Sequence, residues 1–309
     1  MSTPTGEQFE LEAASGSRRS RAIITEVAAG LRALSIDGID LVETYPGSAV
    51  PPYGSGIVLV PWPNRVEDGV WLHHGEKQQL DLTEPERHNA IHGLLRQAAY
   101  RVASRSAQAI TLAATVFPQH GYPFQLDTTV RYELVADGLK VTHEIWNVGE
   151  NAAPVAVGAH PYLRLGDVPT EDLVLTLPAG THLKADDRNN VRSEHPVDGT
   201  EFDLRNGVRV GDVLLDDGFG DVGADAAHRL TAPDGRYVEL WRDADFAFVQ
   251  VFTKPDFPKD GGFGLAIAVE PMTAPGNAFN NGSGLRWLQP GERWTLSWGI
   301  RYSGQPAGE

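Results

Sequence analysis

Two side chains able to carry protons stand at matching places in this chain. Val155 to Leu165 reads V-A-V-G-A-H-P-Y-L-R-L, an apolar run closed by His160 with Pro161 next. Leu265 to Pro271 reads L-A-I-A-V-E-P and closes on Glu270, again followed by proline. A residue before proline is pushed toward extended backbone, so each group is expected at a strand end with its side chain held in place. An imidazole and a carboxylate fixed in this way form a general acid and base pair if they face one ligand. Glu270 shares its strand face with Ala266 and Ala268, and two such small neighbours are expected to leave room for that ligand.

Three further polar clusters surround this pair in the reading. In Val60–Gly69, V-P-W-P-N-R-V-E-D-G, two prolines bracket Trp62 and place Asn64 and Arg65 in a rigid loop. In Asn89–Arg96, N-A-I-H-G-L-L-R, His92 precedes a glycine that lets backbone come close to a ligand. The third is Leu214–Phe219, L-L-D-D-G-F. His88 and His92 sit four apart, but the acid of H-E-x-x-H is missing and no helix is expected there, so no metal site is predicted.

Strands must position these groups, because the hydrophobic period is two. Leu126, Thr128, Val130, Tyr132 and Leu134 share one face, and Leu139, Val141, His143 and Ile145 repeat the pattern after Asp137-Gly138. Phe246, Phe248, Gln250 and Phe252 line a third strand, and Trp294, Leu296, Trp298, Ile300 and Tyr302 a last one. Asp-Gly pairs at Asp37, Asp68, Asp137, Asp198, Asp217, Asp234 and Asp260 read as hairpin turns, and His73-His74-Gly75 as a hairpin tip. No window of helical length keeps a 3.6 period. With 33 glycines and 21 prolines to serve many short strands, the chain is expected to be all-β, a large antiparallel β-sandwich. Residues 1–20 are polar and read as a flexible N-terminal segment, and 21–309 as a single domain without repeats or a linker.

In order and spacing, P-W-P-N-R, A-I-H-G-L-L-R, G-A-H-P-Y-L, L-D-D-G-F, V-Q-V-F-T and V-E-P-M-T-A-P-G-N-A-F-N resemble the aldose 1-epimerase (mutarotase) family. The likeness runs from about Tyr45 to Tyr302. It implies the galactose-mutarotase-like supersandwich, a free aldose as substrate and no metal or organic cofactor. It further implies Glu270 as general base and His160 as general acid. Arg65, His92, Asp216 and Gln250 would contact sugar hydroxyls, with Asn64 and Tyr162 nearby. Asp216 rather than Asp217 is indicated because it stands three residues before Phe219, as in the family pattern. The stretch His92-Gly93-Leu94 departs from the His-Gly-Gly of many galactose mutarotases. The pattern His92 to Arg96 is similar instead to hexose-6-phosphate epimerases and sulfosugar mutarotases, which makes Arg96 a candidate anion contact.

The totals narrow the partners. A net charge of −15 repels nucleic acid and anionic membrane, so a small sugar is the expected partner, bound by a monomer or weak homodimer. The absence of cysteine excludes thiol catalysis and disulfides, and a cytoplasmic location is expected. Three alternatives stay open: an epimerase of a phosphorylated or sulfonated hexose, a non-catalytic carbohydrate-binding protein, and a glycosidase with paired carboxylates.

Overall fold

Alternation along the chain gives most long strands a core-facing side, and two large antiparallel sheets result, beside a four-stranded sheet and three two-stranded pairs among the described residues. The computed structural model describes residues 3–223, 227–259 and 261–304. Among these, a nine-stranded sheet has Leu126–Val135, Gly138–Asn147, Arg293–Ser303 and Tyr237–Arg242 at its centre. Val130, Tyr132, Val141, Trp298 and Ile300 are buried on its inner side. The second sheet orders Val191–Pro196, Ala179–Ala185, Asp216–Val222, Phe248–Lys259, Gly262–Met272, Gly158–Ala159 and Val58–Leu59, with Tyr162–Leu163 pairing Gly262–Met272 off this path.

Odd-numbered residues of the second sheet, among them Phe219, Val249, Val251, Ile267 and Val269, join the same hydrophobic cluster as the first sheet's inner face. On the two long strands Phe248–Lys259 and Gly262–Met272, the residues next to Val249, Val251 and Val269 therefore point away from that cluster. That is the side on which Glu270, Gln250 and Asp216 stand. Gln250 lies directly opposite Glu270, and Asp216 opposite Phe252. Period two thus separates packing from chemistry on the same strands.

Several expectations are corrected. Within the segment expected to be flexible, Gln8–Ser15 pairs with Arg18–Thr25 in unbroken register, from Gln8 opposite Thr25 to Ser15 opposite Arg18. Phe9 and Leu11 are 2% and 0% exposed, while Glu10 and Glu12 face outward. A boundary at residue 20 would cut through this hairpin. Its turn is Gly16-Ser17, within the polar segment Ser15 to Ser20, with Gly16 at φ 60°.

The Asp-Gly pairs also divide. Asp37-Gly38 is a two-residue hairpin turn with both φ positive, and His74-Gly75 is another. Asp137-Gly138 is not a turn centre, because Val135 already pairs with Gly138 across Ala136 and Asp137. Gly138 is needed for proximity: a Cβ there would lie 1.8 Å from the Ile300 carbonyl oxygen. Asp217-Gly218 lies inside the strand Asp216–Val222, and Asp260 falls outside the described residues. The strand holding Glu270 does not stop there but runs on to Met272, since proline removes only one donor from the ladder.

Candidate active site

Glu270 and His160 meet. Gly158–Ala159 ends immediately before His160, and this short strand pairs with Gly262–Met272 through Gly158 opposite Met272. The result places His160 Nε2 3.3 Å from Glu270 Oε1, with the two side chains only 6% and 3% exposed. Together they line a cavity of about 520 Å³, to which Asn64, Arg65, His92, Arg96, Asp216 and Gln250 also contribute. Eight of the nine residues singled out from the sequence therefore share one hollow.

Polar contacts run around the wall in a chain. Arg65 NH1 donates to Asn64 Oδ1 at 3.3 Å, Asn64 Nδ2 to Gln250 Oε1 at 3.2 Å, and Gln250 Nε2 to Asp216 Oδ1 at 3.0 Å. Asn189 donates to the other Asp216 oxygen, and Arg87 stands 3.9 Å from it. Asn64 and His92 both adopt positive φ, at 54° and 63°, and the His92 N–H donates to the Asn64 carbonyl at 2.9 Å. Gly93 follows at φ 74°, where a Cβ would sit 2.2 Å from the Val60 carbonyl oxygen. Its neighbour His92 is thereby packed edge-on against His160, ring centres 5.5 Å apart.

Burial governs the titration of this group. It pushes Glu270 well above the usual carboxylate range, with Asp216 adding to the rise and Arg65 opposing it. Burial likewise pushes His160 down to about 4 and holds His92 well below its ordinary value, with His160, Arg65 and Arg96 adding to the fall at His92. Glu270 Oε2, His160 Nδ1 and His92 Nδ1 are buried without protein partners among the described residues. Carboxyl plus imidazole and carboxylate plus imidazolium are the two ways in which this pair can hold one proton. A pair that can pass between those two forms without changing its net charge suits a buried site.

Tyr162 is the exception among the expected contacts. It is 0% exposed and does not line the cavity; its ring stacks behind His160 at 5.3 Å and against Phe257 at 4.6 Å. Ala268, opposite Tyr162 in register, supplies the space for that ring. The small residues beside Glu270 thus admit an aromatic support for His160 rather than a ligand. His88 is exposed, and its Nδ1 bonds Asp68 Oδ1 at 2.9 Å.

Sequence reasoning missed Glu84, Arg87, Tyr53 and Phe252, all of which line the cavity. Phe252 was within reach, since it shares the strand face of Gln250. Glu84 carried no local signal, for its role depends on a contact with Arg65. No helix among the described residues is long and apolar enough to cross a membrane.

A family model described as Aldose 1-epimerase matches residues 16–301, and the chain belongs to that family. It is 32% identical over 280 residues to the uncharacterized protein YihR of Escherichia coli, covering 90% of this chain and 89% of that one. Human galactose mutarotase is 29% identical over 170 residues, 52% of this chain and 48% of its own length. In fold the chain resembles the crystal structure of galactose 1-epimerase from Lactobacillus acidophilus, with a TM-score of 0.76 at 21% identity, covering 96% of this chain and 98% of that one. A putative aldose 1-epimerase from E. coli superposes with a TM-score of 0.81 at 19% identity, over 96% of this chain and 99% of that one. The architecture is that of galactose mutarotase-like proteins.

Proposed function

We propose that this protein interconverts the α and β anomers of a free hexose by acid/base ring opening and reclosure, with Glu270 as base and His160 as acid. The observation that carries the reading is the 3.3 Å His160–Glu270 pair, buried in a sugar-sized cavity. Membership of the aldose 1-epimerase family supports it. The reading places the enzyme in the cytoplasm, as a monomer or weak homodimer.

The proton accounting is closed. In the carboxylate–imidazolium form, Glu270 takes the proton from O1 while His160 gives its own to the ring oxygen. The C1–O5 bond breaks, C1=O1 forms, and the pair is left as carboxyl plus imidazole. Rotation about C1–C2 presents the other carbonyl face. The O5 hydroxyl then attacks C1 and returns its proton to His160, and Glu270 returns its proton to O1. Each positioned transfer contributes roughly 10²–10⁴-fold. Asp216, Gln250 and Asn64 form a hydrogen-bonding wall suited to ring hydroxyls, which orients the hemiacetal between base and acid. His92, held neutral by its burial, offers a hydrogen bond without adding charge.

One observation favours a second reading. Arg96 lines the cavity and donates to the Thr83 carbonyl at 3.3 Å, and among the described residues no carboxylate pairs with it. A guanidinium so placed would suit a phosphorylated or sulfonated hexose processed by the same proton transfers. Polarimetry on anomerically pure glucose, galactose and glucose 6-phosphate tests both. Acceleration confined to neutral sugars supports the first, acceleration confined to the anion supports the second, and no acceleration with any sugar refutes both. A binding-only protein would titrate with sugar and leave the rate unchanged; a glycosidase would release reducing sugar from disaccharides.

A further inference from the structure

Arg65 enters the cavity already committed along one edge. Its Nε donates to Glu84 Oε2 and its NH2 to Glu84 Oε1, both at 2.8 Å, a two-point pair in which each side chain is 10% exposed. Glu84 is brought there by the backbone. It exchanges hydrogen bonds with Asn89, its N–H to the Asn89 carbonyl at 3.0 Å and the reverse at 3.2 Å. Asn89 opens the strand Asn89–Ile91, which pairs with Arg65–Glu67. The Asn89 side chain, fully buried, adds a longer contact to Glu84 Oε2 at 3.4 Å. The remaining terminal nitrogen of Arg65, NH1, is the one that faces Asn64.

We infer that Glu84 is a positioning and charge-balancing residue for the acid/base pair: it holds the Arg65 guanidinium edge-on to the cavity and offsets its charge, so that Glu270 and His160 face a hydrogen-bond donor rather than a free cation. This inference rests on the function proposed above. Other charged or titratable groups that bear on Glu270 are His160 after Gly158–Ala159, Asp216 on Asp216–Val222, Arg65 on Arg65–Glu67 and Tyr162 on Tyr162–Leu163. His92, Arg96, Glu86 and Arg87 share the same cavity, and Arg87 Nε also stands 3.9 Å from Glu84 Oε1. Among these, Arg65 is the cation that lowers Glu270, and it also lowers His160. Burial works against the charge on Arg65 itself, and the pair with Glu84, with Asp216 and Glu270 adding to it, more than reverses this. Taking away the Glu84 charge leaves the Arg65 cation unbalanced and makes every protonation of the pair harder.

The test compares Glu84→Gln and Glu84→Asp in the full chain. Glu84→Gln keeps the shape and removes the charge, so both limbs of the kcat/KM pH profile should move to lower pH, by roughly half a unit to one unit. Glu84→Asp keeps the charge and shortens the reach, so the limbs should stay in place while KM for the sugar rises. Carbon-13 NMR of the Glu270 carboxyl in the resting protein should report the same downward displacement for Glu84→Gln. That readout needs no turnover, so it separates this inference from the proposed activity: inactive wild-type protein would refute the activity alone. Unmoved limbs and an unmoved carboxyl titration in a folded Glu84→Gln variant would overturn the inference, whatever the loss in rate. Equal displacement in both variants would overturn it as well.

Discussion

Replacing Glu270 by Gln should make the protein a worse catalyst and a more stable fold, with the second effect confined to one pH range. The side chain is 2% exposed, its Oε2 has no hydrogen-bond partner among the described residues, and burial raises its affinity for a proton. A carboxyl whose folded pKa lies above its unfolded value of about 4.3 contributes its stability below that value. The contribution is lost as pH rises toward the folded value, because the unfolded chain releases the proton first. Each unit of displacement corresponds to about 1.4 kcal/mol. For a chain of this length, that is on the order of 2 °C in Tm. The amide never titrates, so the Tm of Glu270→Gln should equal that of wild type near pH 4 and exceed it by a margin that grows with pH and then levels off. Over the same range anomer exchange should fall by roughly 10²–10⁴-fold, the contribution of one positioned proton transfer. Calorimetry at a series of pH values, alongside polarimetry on the same samples, reads both. Retention of activity within a few-fold would refute the base assignment, and a Tm difference independent of pH would refute the argument from burial.

Three other outcomes are expected. Arg96→Gln should leave kcat/KM for a neutral hexose within about threefold, while a selective loss of tenfold or more with an anionic hexose would favour the second reading; steady-state kinetics on the two sugars decide. Deleting residues 1–16 removes Phe9 and Leu11 from the core, each worth roughly 1.5–3 kcal/mol, and should lower Tm by about 4–9 °C; an unchanged Tm would restore the flexible-tail expectation. His228 is wholly buried, pushed down to about 3 by burial, and has no hydrogen-bond partner among the described residues. Its stability contribution is complete above about pH 6.5 and drains away as pH falls toward 3, so His228→Leu should lose less stability over that interval in urea titrations.

The strands were legible because their signals are local. Alternation along Leu126–Val135 and Arg293–Ser303 needs only neighbouring residues, and the buried side chains follow it, with only Gly299 buried out of phase. His160 was legible for the same reason, since the proline after it marks the strand end. The N-terminal hairpin was obscured, although Phe9, Glu10, Leu11 and Glu12 alternate, because the Gly-, Ser- and Arg-rich stretch from Ser15 to Ser20 resembles a polar tail. Asp217-Gly218 carried a turn signal that strand pairing on both sides overrode. Tyr162 and Glu84 illustrate what sequence alone does not reveal. Whether Tyr162 faces a ligand depends on Ala268 across the sheet, and the value of Glu84 depends on Arg65 nineteen positions earlier.

The central claim is that Glu270 and His160 address opposite ends of one hemiacetal. A crystal structure of the wild-type protein equilibrated with the sugar it turns over tests this most directly. The account predicts the anomeric hydroxyl within hydrogen-bond distance of the Glu270 carboxylate and the ring oxygen within the same distance of His160 Nε2. A sugar seated in the cavity with C1 turned away from both groups, or bound at another surface, would contradict it.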